Sequence, residues 1–363
     1  METNFYKNVI MALTVMCLIA TFSSCEKESN EPEPPIVEPV ETVPGCYILN
    51  TGNWGKNDAS VQWYEPESNT VSADLYAEAN GENLGDVAQD LIVYGSKVYI
   101  TCNGSAKLVI VDKRDFKLLK SISLTNDAGQ PVNPNYLTAT DGKVFFTSND
   151  GSVNRLDTLS LDITGKLALN GFPAALTSAA GKLYINMNDY MFDGSGKQVA
   201  VVSVASFDQP KYLDVVLNPY DTCLTGSDGN VYFISQGHSD GTPPPHTLQR
   251  IDPATDIVTE LFEASKMAMH GDLIYYYYFE YGKTLEHISV YNIKTETTTD
   301  FLPKEQLTDI ATPNFIEVEP QSGDVYIGNF IYGSKDDLYI YASDGTFKRK
   351  VETGIYTTKV VFQ

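Results

Sequence analysis

Short runs in which apolar and polar residues alternate recur along this chain, with Gly, Asn, Asp or Pro standing between them. Alternation of period two over about 4–8 residues marks strands with one face buried, and the intervening residues mark turns. One phrase returns seven times: a Gly or Ser, a small or polar residue, then a β-rich run. It reads "GCYILN" at 45, "SKVYITCN" at 96, "GKVFFTSN" at 142, "GKLYINMN" at 181, "GNVYFISQ" at 229, "GDLIYYYY" at 271 and "GDVYIGNF" at 323. Copies start 39 to 52 residues apart. That period belongs to propeller blades of four strands, not to helical repeats of about 34 residues.

Each unit holds four such runs. In the second they are "AQDLIVYG", "KVYITCN", "KLVIVDK" and "LLKSISL". Seven units of four strands predict an all-β, seven-bladed β-propeller over residues 45–363. The first unit lacks its first strand, because a Pro-rich stretch precedes "GCYILN". The run "GIYTTKVVFQ" at 354–363 has no successors, so it is expected to complete that first blade and close the ring. Within "YYYY", Tyr275 and Tyr277 should face one neighbouring blade and Tyr276 and Tyr278 the other.

The loops after each second strand and those leading into each first strand should emerge at one end of such a ring. They carry an unusual set of residues. "LNTGNWG" at 49–55 puts Trp54 among turn formers, and the inserts "NDYMFDGSG" (188–196) and "GHSDGTPPPH" (237–246) lengthen two other loops. X-Pro-aromatic elements recur in the leading loops, as in "NPNY" and "NPYD". Rings bury area at small entropic cost, and amides and carboxylates orient a ligand. On loop position, Trp54, Tyr190, Phe192, Tyr281, Phe330 and Tyr332 are candidate ring contacts, and Asn103, Asn135, Asp189 and Asp221 candidate hydrogen-bonding groups. Turns favour Asn, Asp, Gly and Pro for their own reasons, so the clustering of rings carries more weight than any single loop.

The N-terminus changes the expected location. Val9–Phe22 is an apolar run too short to span a bilayer, which marks residues 1–24 as a signal peptide. "FSSC" resembles a lipobox, with Cys25 as the lipidated residue. The Glu- and Pro-rich residues 25–44 read as an extended tether that cannot bury a core. Acidic residues directly after Cys25 resemble the surface-export signals of lipoproteins in Bacteroidota, which implies the outer face of an outer membrane. Net charge is −22. Residues 1–44 hold seven acids and two bases, which leaves −17 on residues 45–363. A field of that sign disfavours DNA and RNA, whose backbones need Lys and Arg, so no nucleic-acid partner is expected. Cys46, Cys102 and Cys223 form no CxxC pair, and buried free thiols are expected.

Hydrolase elbows, HExxH and phosphate-binding loops are all missing from the sequence. His238 and His246 share one loop, and Asp86, Asp189, Asp221 and Asp240 sit in loops, where they could hold calcium or act as acid/base groups. Neither set forms a spacing that calls for a metal, so no enzyme activity, metal or resident cofactor is expected. "ILNTGNWGKNDASVQWYEPES", "NGENLGDVAQDLIVYGSKVYITCNGSAKLVIVDK" and "GQPVNPNYLTATDGKVFFTSNDGSVNRLDT" resemble the YncE-type seven-bladed propeller lipoproteins of Bacteroidota, and among them the BtuG-like group. The resemblance implies capture of vitamin B12 or another cobamide at the cell surface and delivery to a TonB-dependent transporter of the BtuB type. Cobalamin would then be cargo. A protein or glycan partner, and a calcium-dependent propeller hydrolase or lactonase, are the alternative readings of the residues.

Overall fold

The computed structural model describes residues 44–238 and 242–363. The expected signal peptide, Cys25, most of the expected tether and Asp240 lie outside the described residues. Seven four-stranded antiparallel sheets form, each an up-and-down meander. Blade 2, for example, runs Ala88–Tyr94, Lys97–Cys102, Lys107–Asp112 and Leu118–Ser123 from the inside outwards. The inner strands of blades 3 to 7 are Pro134–Thr140, Phe172–Ala179, Pro219–Thr225, Lys266–His270 and Pro313–Val318. Blade 1 takes its inner strand from the far end of the chain: Thr357–Phe362 pairs with Cys46–Asn50. The expected closure is therefore present. Side chains reinforce it, with the Thr357 hydroxyl donating to Asn50 Oδ1 at 2.7 Å.

Alternation explains how blades adhere. Buried side chains fall into seven clusters, one at each interface between neighbouring blades. In Lys97–Cys102, Val98, Ile100 and Cys102 pack towards blade 1, whereas Tyr99 packs towards blade 3. Tyr275 and Tyr277 join the cluster shared with blade 7, and Tyr276 the one shared with blade 5. Each fully buried Val, Leu or Ile contributes roughly 1.5–3 kcal/mol. Cys46, Cys102 and Cys223 are free and buried, and burial pushes the Cys102 thiol up to about 12.

Two local features depart from the regular pattern. The outermost strand of blade 1 is only Thr70–Val71, and a six-residue helix, Leu75–Asn80, follows it. Asp74 caps that helix by accepting from Tyr76 N at 3.1 Å and also accepts from Val61 N at 3.2 Å, so one carboxylate serves both the helix and the open edge of strand Ser60–Glu65. The pairing shifts register near the leading end of six of the seven inner strands, for instance between Pro134 and Leu137. Such bulges bend strands and re-aim side chains. They all lie at the end where the candidate loops emerge.

Candidate functional site: an aromatic end above a polar channel

The loops after the second strands and those leading into the inner strands share one end of the ring, as antiparallel pairing requires. Among the described residues, seven aromatic rings are exposed, and six of them stand on this end: Trp54, Tyr190, Phe192, Tyr281, Tyr332 and Tyr356. The seventh, Phe347, lies on an outermost strand. Exposure of the six runs from 45% to 92%, far beyond what packing needs. Phe330 is half-buried and supports Tyr356, their centroids 4.8 Å apart. Phe172 supports Tyr190 in the same way at 5.1 Å. The rings rise from blades 4, 6, 7 and 1, while the corresponding loops of blades 2 and 3 are tight turns.

Carboxylates hold these loops in place. Asp58 accepts from Asn53 N at 2.7 Å and from Asn53 Nδ2 at 2.9 Å, and both oxygens of Asp86 accept from Gly55 N at 2.9–3.0 Å. Trp54 is thus clamped between two Asp-bound neighbours. Gly52 is required here: its φ is +76°, and a Cβ would lie 2.5 Å from Asp58 Oδ1. Asp189 is buried and accepts from Asp193 N and Gly194 N, which folds the Tyr190–Phe192 loop around it. Asp336 is fully buried; it accepts from Ile331 N at 2.8 Å and from Thr357 N at 2.6 Å, next to Tyr332. Burial raises the Asp336 carboxyl above its usual range, although both amide donors pull it down.

Each of the four expected hydrogen-bonding groups has bonds of its own within the protein. Asp189 is a loop organiser whose oxygens face its own backbone. Asn103 and Asn135 are brought together, but to each other: Asn103 Nδ2 donates to Asn135 Oδ1 at 2.7 Å and to the Pro134 carbonyl at 3.3 Å. They fasten blade 2 to blade 3. Asp221 faces the central channel, where Lys266 pairs with it and the Thr222 hydroxyl donates to it at 3.1 Å. His246 is half-buried, with Nδ1 at 3.0 Å from the Ser265 hydroxyl, and burial lowers its pKa. His238 is exposed. Among the described residues, no group of three His, Cys, Asp or Glu side chains gathers to hold a metal ion.

Sequence reasoning missed the channel itself. All seven inner strands line a cavity of about 730 Å³. Asp90 is buried in its wall and ties three blades together: it accepts from Lys359 Nζ of blade 1 at 2.7 Å and from Leu137 N of blade 3 at 2.8 Å. Glu317 of blade 7 stands near this pair, and burial raises its carboxyl to about 7 against the pull of Lys359. Burial pulls the Lys359 ammonium down, but Asp90 and Glu317 together leave it above its ordinary value. Tyr136 and Tyr220 meet edge to face with centroids 6.4 Å apart, and Tyr136 packs on the cluster that holds Ala175 of the intervening blade. Burial raises both hydroxyls, Tyr136 well above the usual tyrosine value. The available signal was charge inside innermost strands, with Asp90 in "AQDLIVY", Glu317 in "PNFIEV" and Lys359 in "TTKVVF".

A closed ring of seven four-stranded blades defines the class: this is a seven-bladed β-propeller. The chain belongs to the family described as Domain of unknown function (DUF5074), whose model matches residues 44–284. No curated protein matches it. Among solved structures, a chain of Kuenenia stuttgartiensis Hydrazine Synthase is similar at 14% identity with a TM-score of 0.56, over 72% of this chain and 85% of that one. At that identity the likeness concerns the fold alone.

Proposed function

We propose that this propeller is a binding protein that captures a cobamide across its aromatic end, is displayed on the outer membrane through lipid on Cys25, and passes its cargo to a TonB-dependent transporter of the BtuB type. The observation that carries the reading is the gathering of six exposed rings on one end, above a polar channel mouth. A corrinoid is broad and flattened, with methyl groups and peripheral amides along its edge. Rings on clamped loops bury the methyl-rich surface without a large ordering cost, and loop backbone groups and tyrosine hydroxyls suit the amides. Such a ligand would lie across the mouth instead of entering between the inner strands.

The resemblance of "GNWG" and its neighbours to BtuG-like lipoproteins supports the choice of ligand. Calorimetric titration of the full chain with cyanocobalamin tests it: saturable one-to-one binding is expected, and absence of heat at ligand concentrations well above the protein's overturns it. The strong protrusion of Tyr281 and Tyr332 favours a second reading, a protein partner seated on the same end. That reading takes over when cobamide does not bind.

A further inference from the structure

The central channel holds more ionisable groups than ring closure uses. Three carboxylates, from Asp90, Asp221 and Glu317, and two ammonium groups, from Lys266 and Lys359, line one cavity. Both lysines are engaged, Lys359 with Asp90 at 2.7 Å and Lys266 with Asp221. Both aspartates have further donors, from Leu91 N and Leu137 N and from the Thr222 hydroxyl. Among the described residues, no hydrogen bond reaches the Glu317 carboxyl; only the fields of Lys359 and Asp90 act on it. Asn314, on the same strand, also lines the cavity, but its side chain is turned away, with Nδ2 donating to the Thr357 carbonyl and Oδ1 against Gly328. The carboxylates of this wall thus outnumber its ammonium groups by one, and Glu317 is the one left over. A carboxyl on a cavity wall without a protein donor is free to accept from a cationic donor, the stronger kind of hydrogen bond.

We propose that the channel is a second binding site, separate from the aromatic end, for a small organic cation whose primary ammonium group donates to the Glu317 carboxylate. The surroundings fit an amphipathic body. Ile92, Val93 and Ile316 supply apolar wall, Thr138 and Thr358 supply hydroxyls, and Tyr136 and Tyr220 add aromatic wall. The groups facing Glu317 are Lys359 and Asp90 nearby, with Asp221 and Lys266 across the cavity. With its carboxyl near pH 7, Glu317 is partly protonated at neutral pH, so a cation draws it to the ionised form and releases the proton to solvent. The site does not rest on the reading of the aromatic end.

The test is calorimetric titration of the full chain with n-butylamine, and with n-butanol as the neutral isostere. The amine is expected to bind about tenfold tighter at about pH 8 than at about pH 6, because the ionised fraction of Glu317 grows by that factor. Butanol should give no saturable heat. Glu317→Gln should weaken amine binding tenfold or more and flatten its pH profile. Lys359→Gln, which removes the competing cation, should strengthen it. The proposal falls if butanol binds as well as the amine, if the amine gives no saturable heat, or if Glu317→Gln keeps the wild-type affinity and pH profile.

Discussion

Replacing Glu317 by Gln should stabilise the protein above neutral pH and leave it nearly unchanged in mild acid. The magnitude follows from the channel wall. The carboxyl is raised from 4.5 to about 7 by burial. Below about pH 4.5 the group carries its proton in both the folded and unfolded chain, so it exerts no penalty. Between there and about pH 7 the unfolded chain ionises while the folded chain holds the proton, and folding loses stability with each unit of pH. Above about pH 7 the full cost is present. At about 1.4 kcal/mol per unit, a shift of this size is worth about 3 kcal/mol, a sizeable share of a stability of order 5–15 kcal/mol. Gln keeps the shape and cannot ionise. Thermal unfolding followed by circular dichroism at about pH 5 and pH 8.5 should show a gain for Glu317→Gln of roughly 5 °C at the higher pH and little at the lower. A difference that does not depend on pH, or a loss at high pH, refutes the assignment of Glu317 as a strained ionisable group.

Further outcomes follow from the same structure. Alanine at Trp54, Phe192 or Tyr332 should each weaken cobamide binding by on the order of 2 kcal/mol, as truncated interface anchors do. Substitutions at Lys113, Asp157 and Asp252, on the opposite end, should leave affinity unchanged, and the reverse pattern in titrations would place the site on the wrong end. Deleting Ile355–Gln363 should unfold the whole ring, since it removes the inner strand of blade 1 and the Lys359–Asp90 tie; an unchanged melting temperature contradicts this. Cys25→Ala should move the protein from the membrane to the soluble fraction of its host, because stable anchoring needs more than one acyl chain. Wild-type protein found only in the soluble fraction with a free Cys25 thiol would count against lipidation.

The blade pattern was legible because each blade repeats the same alternation and the same turn chemistry, so seven weak signals add. Ring closure was legible from a local deficit, a first unit without its first strand. The exposed rings were readable too, since Trp54 and Tyr332 sit among turn formers where no core could take them. The roles of the acids were not. Asp189, Asp86 and Asp336 sit in or beside the loops as ligand groups would, but whether a carboxylate faces a backbone amide or solvent depends on loop geometry that spacing does not reveal. The channel was hidden for another reason. Lys359 meets Asp90 across 269 residues of sequence, and only the closed ring brings them together. The helix Leu75–Asn80 is too short to show a helical period, and only its caps, Asp74 and Gly81, marked it.

The central claim is that the aromatic end receives a cobamide, and Trp54 can report on it directly. The chain has two tryptophans, and Trp63 packs edge to face on Tyr47 at 5.0 Å on the first blade. In a Trp63→Phe variant the emission comes from Trp54 alone. Because a corrin absorbs in the near ultraviolet and visible, contact should quench that emission. Titration with cyanocobalamin is predicted to give saturable, stoichiometric quenching. Emission that falls only in proportion to the absorbance of added ligand, without saturation, contradicts the account.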